Sequence, residues 1–163
     1  MTPTAVMRRQ DKEITDPNEL HRILDEARVV HLGMVDGGRP YVVPLNFARE
    51  GGELWLHCAA EGRKLRCLRA DPSVCVEVER VIEVTSGPTA CGAWTSHYES
   101  VIGFGSAEIV VDEDSRVAGL QAIMGRYSGR HDWQFASETL AKTVIIRVRL
   151  DSLTGKRSPA KSS

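Results

Sequence analysis

Gly52–Ala70, GELWLHCAAEGRKLRCLRA, reads as a strand that runs straight into a helix, and the rest of the chain is arranged around that joint. From Glu53 to Ala59 the residues alternate, with Leu54, Leu56 and Cys58 on one face and Trp55, His57 and Ala59 on the other. If the Leu54 side is core, His57 faces a ligand cleft or a subunit interface. After Gly62 the helical period places Leu65 and Leu68 inward, and Asp71-Pro72 stops the helix because proline cannot continue it. Unpaired amides at a helix start, with Arg63 able to offer a bidentate fork and Lys64 a point charge, suit a phosphate. The plainer reading is two solvated helix cations. A P-loop is not the explanation: the first glycine of GxxxxGK[ST] is missing and Leu65 stands where Ser or Thr is needed.

Upstream of the joint, Asp16-Pro17-Asn18-Glu19 has the pattern of a capping box, and Leu20, Ile23, Leu24 and Ala27 follow at the helical period, with His21 on the solvated side. Arg28–Asp36 then leads through Gly37-Gly38 into Arg39–Arg49, a hairpin signal, and Glu50-Gly51-Gly52 turns the meander into Glu53–Ala59. Pro40 and Pro44 donate nothing to a ladder, which puts the second of these strands at an edge or makes it locally irregular there, and an irregular edge leaves backbone groups free to meet a ligand. Downstream, Ser73–Arg80 alternates as a half-buried strand, a break falls at Ser86-Gly87-Pro88, and His97–Val111 is long and β-rich. Asp112–Tyr127 returns to the helical period, Gly129–Ser137 is a loop, and Thr143–Leu150 is a last alternating strand. The spacing predicts a mainly β (α+β) fold: six to seven antiparallel strands in a Greek-key barrel with peripheral helices. Residues 1–13 read as an arm, 14–152 as one domain, and 153–163 as a flexible basic tail.

The totals narrow the function classes. With 163 residues one domain suffices, and a net charge of -1 offers no attraction to nucleic acid or to an anionic membrane. The N-terminus lacks the apolar core of a signal peptide and no apolar run reaches a membrane span, so the expected location is the cytoplasm. Cys58, Cys67, Cys75 and Cys91 show no CxxC spacing and read as buried thiols, with no metal site expected. No GxGxxG occurs, so dinucleotide binding by that route has no support. Trp94, Thr95, Tyr98 and Ser100 put aromatic and hydroxyl groups ahead of the long strand, where they could stack on a flat heterocycle or pack at an interface.

Five segments together resemble the nitroimidazole-resistance branch of the pyridoxamine 5'-phosphate oxidase-like superfamily. They are Met7–Ile14 (MRRQDKEI), Pro40–Leu45 (PYVVPL), His57–Lys64 (HCAAEGRK), Cys91–Thr95 (CGAWT) and Tyr98–Gly105 (YESVIGFG). The resemblance implies a split β-barrel, a homodimer and FMN held between the two subunits. It further implies that the backbone of Val43, Pro44, Leu45 and Asn46 lines the isoalloxazine ring and that Arg63 and Lys64 meet the phosphate. Trp94, Ser100, Val101 and Ile102 would approach the flavin from the other subunit, and His57 would lie near the substrate. The C-terminal arginine motif with which pyridoxamine phosphate oxidases hold their substrate is absent, which sets vitamin B6 oxidation aside. The expected activity is FMN-dependent reduction of a small planar substrate such as a nitroimidazole, with His57 as catalytic proton donor. The alternative is a non-catalytic binder of flavin, deazaflavin or haem, for which His31, His57, His97 or His131 could supply an axial ligand; a purely structural dimeric barrel is the third possibility.

Overall fold

Gly37 and Gly38 adopt φ of 57° and 82°, the left-handed conformation a two-residue hairpin turn needs, and so fold β2 (Val30–Asp36) back on β3 (Arg39–Leu45). The ladder runs in register from Val30 opposite Leu45 to Asp36 opposite Arg39. In the computed structural model, which describes residues 7–89 and 93–158, β3 is the end strand of the path, as its two prolines require. The remaining strands are β1 (Glu13–Ile14), β4 (Phe47–Glu50), β5 (Glu53–Ala59), β6 (Ser73–Thr85), β7 (Thr95–Val110) and β8 (Thr143–Ser158). Every pairing is antiparallel, and the order is β3-β2-β6-β7-β8-β5-β4, with β1 added to β8.

β3 and β4 stand at opposite ends of that path, yet only Asn46 separates them in sequence. The sheet must therefore curl until its two edges are one residue apart. This makes a barrel whose seam is bridged by the chain and not by a ladder, the split barrel. The run Arg39–Arg49, expected as a single strand, breaks at that seam, which with β1 accounts for eight strands in place of six to seven.

Among the described residues four α-helices sit outside the sheet: α1 (Pro17–Glu26), α2 (Arg63–Ala70), α3 (Glu113–Ser128) and α4 (Ser137–Lys142). Among the described residues none is long and apolar enough to cross a membrane. Asp16 caps α1 by accepting from the Asn18 amide at 2.9 Å, but Glu19 does not reach back to complete the box; Arg22 and Arg157 hold its carboxylate instead. Inside the barrel Leu32, Phe47, Leu54, Leu56, Val78, Ile146 and Val148 are fully buried, and truncating one of the leucines to alanine should cost about 2–5 kcal/mol. A second cluster lies outside the sheet, where α3 covers Trp55, Val110 and Ile145 with Leu120 and Ile123. β5 is thus buried on both faces at Trp55, and its outer face opens to solvent from His57 to Ala59.

The predicted flexible tail from residue 153 does not begin there. β8 continues to Ser158, passing a bulge opposite Phe104/Gly105 and pairing with β7 throughout and with β1 at Gly155 and Lys156. Leu20 and Ile14 close on Gly155 so tightly that a Cβ there would lie 2.2 Å from Leu20, and Ser158 is buried. The predicted arm is likewise in part structured: Gln10–Lys12 forms a 3-10 turn and Glu13–Ile14 is β1.

Candidate functional site

The joint between β5 and α2 is built as its sequence suggests. Gly62 turns the chain with φ 137°, open to β-carbon-bearing residues only under strain, and no side chain caps the helix that starts at Arg63. The first helical bond runs from the Arg66 amide to the Gly62 carbonyl at 3.3 Å, so the amides of the turn before it remain for a ligand or water. Of the two cations at this end, Arg63 leans across to the β2–β3 hairpin. Its Nε donates to Asp36 Oδ2 at 2.6 Å and its guanidinium carbon lies 4.2 Å from the centre of the Tyr41 ring.

Lys64 behaves differently. Its ammonium is half-buried, burial pulls its pKa below the ordinary lysine value, and among the described residues it has no hydrogen bond or ion pair. Its charge is felt by two neighbours on β5. The His57 pKa lies below the usual histidine value, because of burial first and Lys64 second. Burial pushes the Cys58 thiol up, against the pull of Lys64 and Arg69, so Cys58 is held as a protonated thiol.

Contact between Arg63 and Tyr41 brings this joint against β3, where Val43 and Leu45 lean on the core while Pro44 and Asn46 are exposed. As the end strand, β3 has one edge with no ladder partner, which leaves backbone groups of Val43–Asn46 available. Arg63 is thus in contact with Asp36 and Tyr41 of the β2–β3 hairpin, and Lys64 acts on His57, while Val43–Asn46 continues along the same β3 strand away from Tyr41.

Trp94, Ser100 and Ile102 do not join these residues within one chain. Register carries Pro44 to His31, His31 to Glu77, and Glu77 to Ile102, so Ile102 lies three strand spacings, about 14 Å, from Pro44 along the outer face. Trp94, 55% exposed, lies at the far end of the β6–β7 arm, and the neighbouring Cys91 and Gly92 fall outside the described residues. Val101 cannot face a ligand: its side chain is in the barrel core and its backbone is paired with both β6 and β8. The outer face between these groups is apolar, with Val35, Val42, Ile102 and Phe104 exposed beside a groove of about 410 Å³. Within it His31 Nδ1 meets Glu77 Oε2 at 2.9 Å.

Asp36 and Tyr41 were not among the residues singled out from sequence. Asp36 looks like a turn residue in Asp-Gly-Gly and Tyr41 like an ordinary strand aromatic; only the fold brings them to Arg63. The remaining histidines considered for haem are otherwise engaged: His31 with Glu77, His97 buried beside Thr85, and His131 packed against Gly125.

The fold is shared with known structures. A candidate 5-nitroimidazole antibiotic resistance protein from Bacteroides thetaiotaomicron superposes with a TM-score of 0.79 at 27% identity, over 88% of this chain and 85% of that one. An FAD-binding protein from Mesorhizobium loti matches at 25% identity and TM-score 0.65, over 88% and 96% of the two chains. The flavocytochrome Anf3 from Azotobacter vinelandii shares the fold at TM-score 0.85 and 21% identity, over 98% of this chain and 75% of that one. No curated protein matches the sequence. The family model for pyridoxamine 5'-phosphate oxidase matches residues 16–157, from the cap of α1 to the end of β8. The split barrel and this match over most of the chain agree, and the chain is a member of the pyridoxamine 5'-phosphate oxidase family.

Proposed function

We propose that the protein binds FMN between two copies of the chain and reduces small planar acceptors, nitroimidazoles among them. The observation that carries this reading is Lys64: a half-buried ammonium with no partner among the described residues, at a helix start and beside an arginine whose Nη groups are also unassigned. A buried charge without a counter-ion is costly, and a phosphate between Lys64, Arg63 and the open amides removes that cost. The residues present thus fit the group. FAD binding by the Mesorhizobium loti relative and the resistance role proposed for the Bacteroides one point the same way.

When bound, FMN would supply the electron-transfer chemistry, and the chain's own residues would hold, orient and protonate. Arg63 and Lys64 grip the phosphate. The free edge of β3 at Val43–Asn46 meets the ring with backbone groups, which read a heterocycle's edge without being ionised. Trp94, Ser100 and Ile102, too far along the outer face to serve the same chain's site, serve the partner's, and the exposed apolar face of Val35, Val42 and Phe104 supplies surface for that homodimer.

His57, on the open part of β5, holds the proton for the acceptor on its imidazole. Burial and Lys64 keep the ring neutral near pH 7, so it offers an N–H as a hydrogen bond and carries a full proton increasingly as pH falls. The first test is the absorption spectrum of the purified protein: oxidised-flavin bands support the reading, a Soret band replaces it with haem binding, and a colourless protein that ignores FMN removes it. The second is His57→Ala, which should keep flavin and lose turnover of nitro compounds or quinones after anaerobic reduction. Unchanged turnover would take His57 out of the mechanism.

A further inference from the structure

Arg63 is held on two sides and open on the third. Asp36 Oδ2 takes its Nε–H at 2.6 Å, the Tyr41 ring lies under its plane at 4.2 Å, and among the described residues Nη1 and Nη2 have no partner. Arg63 holds the Asp36 carboxyl below the usual carboxylate range, with smaller contributions from Cys67 and Arg66 on the next turn of α2. Asp36 can hold this place because it ends β2 at the rigid Gly37-Gly38 turn, while Tyr41 stands opposite Met34 on the same hairpin.

From this geometry we propose that Asp36 and Tyr41 are positioning residues that fix the guanidinium plane of Arg63, so that its two free Nη groups present a ready bidentate fork to a ligand phosphoryl group. The β2–β3 hairpin then decides how strongly the protein prefers a phosphorylated flavin to the unphosphorylated one. An exposed arginine left to itself samples many rotamers, and ordering it on binding costs affinity; held by an aromatic face and a carboxylate, it loses little further freedom when the phosphoryl group arrives. Asp36 is a negative charge near an anion site, which opposes binding. It sits on the Nε edge, away from the open Nη end, and what it contributes is orientation. This inference rests on the proposed flavin site and adds to it the residues that set its selectivity.

The test compares Kd for FMN and riboflavin, by quenching of flavin fluorescence, in wild type, Asp36→Ala, Asp36→Asn and Tyr41→Leu. In Asp36→Ala and Tyr41→Leu the FMN-over-riboflavin preference should fall about tenfold, the scale of one charge-assisted hydrogen bond, with riboflavin Kd unchanged as the sign that the fold and ring site are intact. Asp36→Asn keeps an oxygen for the Nε–H without the charge and should retain the preference. If Asp36→Ala keeps the preference or binds FMN more tightly, Asp36 restrains Arg63 and the positioning role is overturned while the flavin site stands. A wild type with equal affinity for the two flavins overturns it as well. A wild type that binds neither brings down the flavin reading itself, and the inference with it.

Discussion

Two groups of cations lie on this molecule and they are used in opposite ways. Around Glu99 the charges close on one another. Its carboxylate, 5% exposed, accepts from Arg22 of α1 at 3.0 Å, Arg80 of β6 at 3.2 Å and Arg157 of β8 at 2.9 Å, while Glu19 and Glu26 take other groups of the same arginines. Three arginines and three glutamates leave no charge over, and the result fastens α1 and the end of β8 to the sheet. At the β5–α2 joint, among the described residues, Arg63 is satisfied on one edge only and Lys64 has no hydrogen bond or ion pair. Arginine count would rank the Glu99 cluster as the better anion site. Pairing reverses the ranking, because a cation already neutralised inside the protein has little left to offer a ligand.

The largest expected effect comes from breaking the closed cluster. Glu99→Ala leaves the partly buried Arg22 and Arg157 and the exposed Arg80 with two carboxylates, and the loss should be about 3 kcal/mol, or roughly 6–12 °C in melting temperature. FMN affinity measured below the melt should not move. The effect depends on pH in a definite direction. Burial alone would raise the Glu99 pKa, but the hydrogen bonds and charges of Arg22 and Arg157 outweigh it and hold it below the ordinary value. A carboxylate depressed in the folded state stabilises above its unfolded pKa, and that contribution is lost as pH falls through the folded value. The gap between wild type and Glu99→Ala should therefore be full at pH 6 and close below about pH 4.5. A gap independent of pH would mean that packing, and not charge, holds the cluster.

Breaking the open cluster should do the reverse. Lys64→Met removes a half-buried cation with no partner among the described residues, so the ligand-free protein should melt at the same temperature or higher, while FMN affinity falls about tenfold and riboflavin affinity stays. Loss of stability in Lys64→Met, without loss of phosphate preference, would make Lys64 structural and erase the contrast between the two regions.

What could be read beforehand follows the range of the interactions involved. The bounds of β5, the Asp16 cap and the Gly37-Gly38 turn are local, written in alternation and turn chemistry, and the sequence carries them openly. β8 past Leu150 was not legible. DSLTGKRS has no apolar alternation, and it is held by backbone pairing to β7 and β1 and by Arg157, whose carboxylates lie 58 and 138 residues away in sequence. The break at Asn46 was hidden for a related reason: it marks where a curled sheet meets its own edge, a property of the whole barrel. The site divides in the same way. Arg63, Lys64 and His57 announce themselves on one strand and helix, whereas Asp36, 27 residues before Arg63, becomes a partner only once the hairpin is placed against α2. Val101 was drawn into the site by its neighbours, although it falls on the inward face of an alternating strand.

The smallest effect reports on whether the open cluster and His57, the proposed proton donor, communicate. Lys64 is the second cause of the lowered His57 pKa, so removing its charge should raise that pKa, though not to the ordinary value, because burial, the larger cause, remains. A phosphate bound at Lys64 should act in the same direction by offsetting its charge. By linkage, a ligand that raises the pKa of a protein group takes up protons as it binds, so FMN affinity should strengthen as pH falls through the His57 titration. The phosphate's own second ionisation, near pH 6, adds a slope that every variant shares, so the informative quantity is the difference between wild type and His57→Gln. NMR titration of the His57 ring in wild type, in Lys64→Met and with FMN should give two upward shifts of the same sign. An unmoved His57 in both would separate the phosphate grip from the proton site and leave the joint as an anchor with no influence on the chemistry beside it.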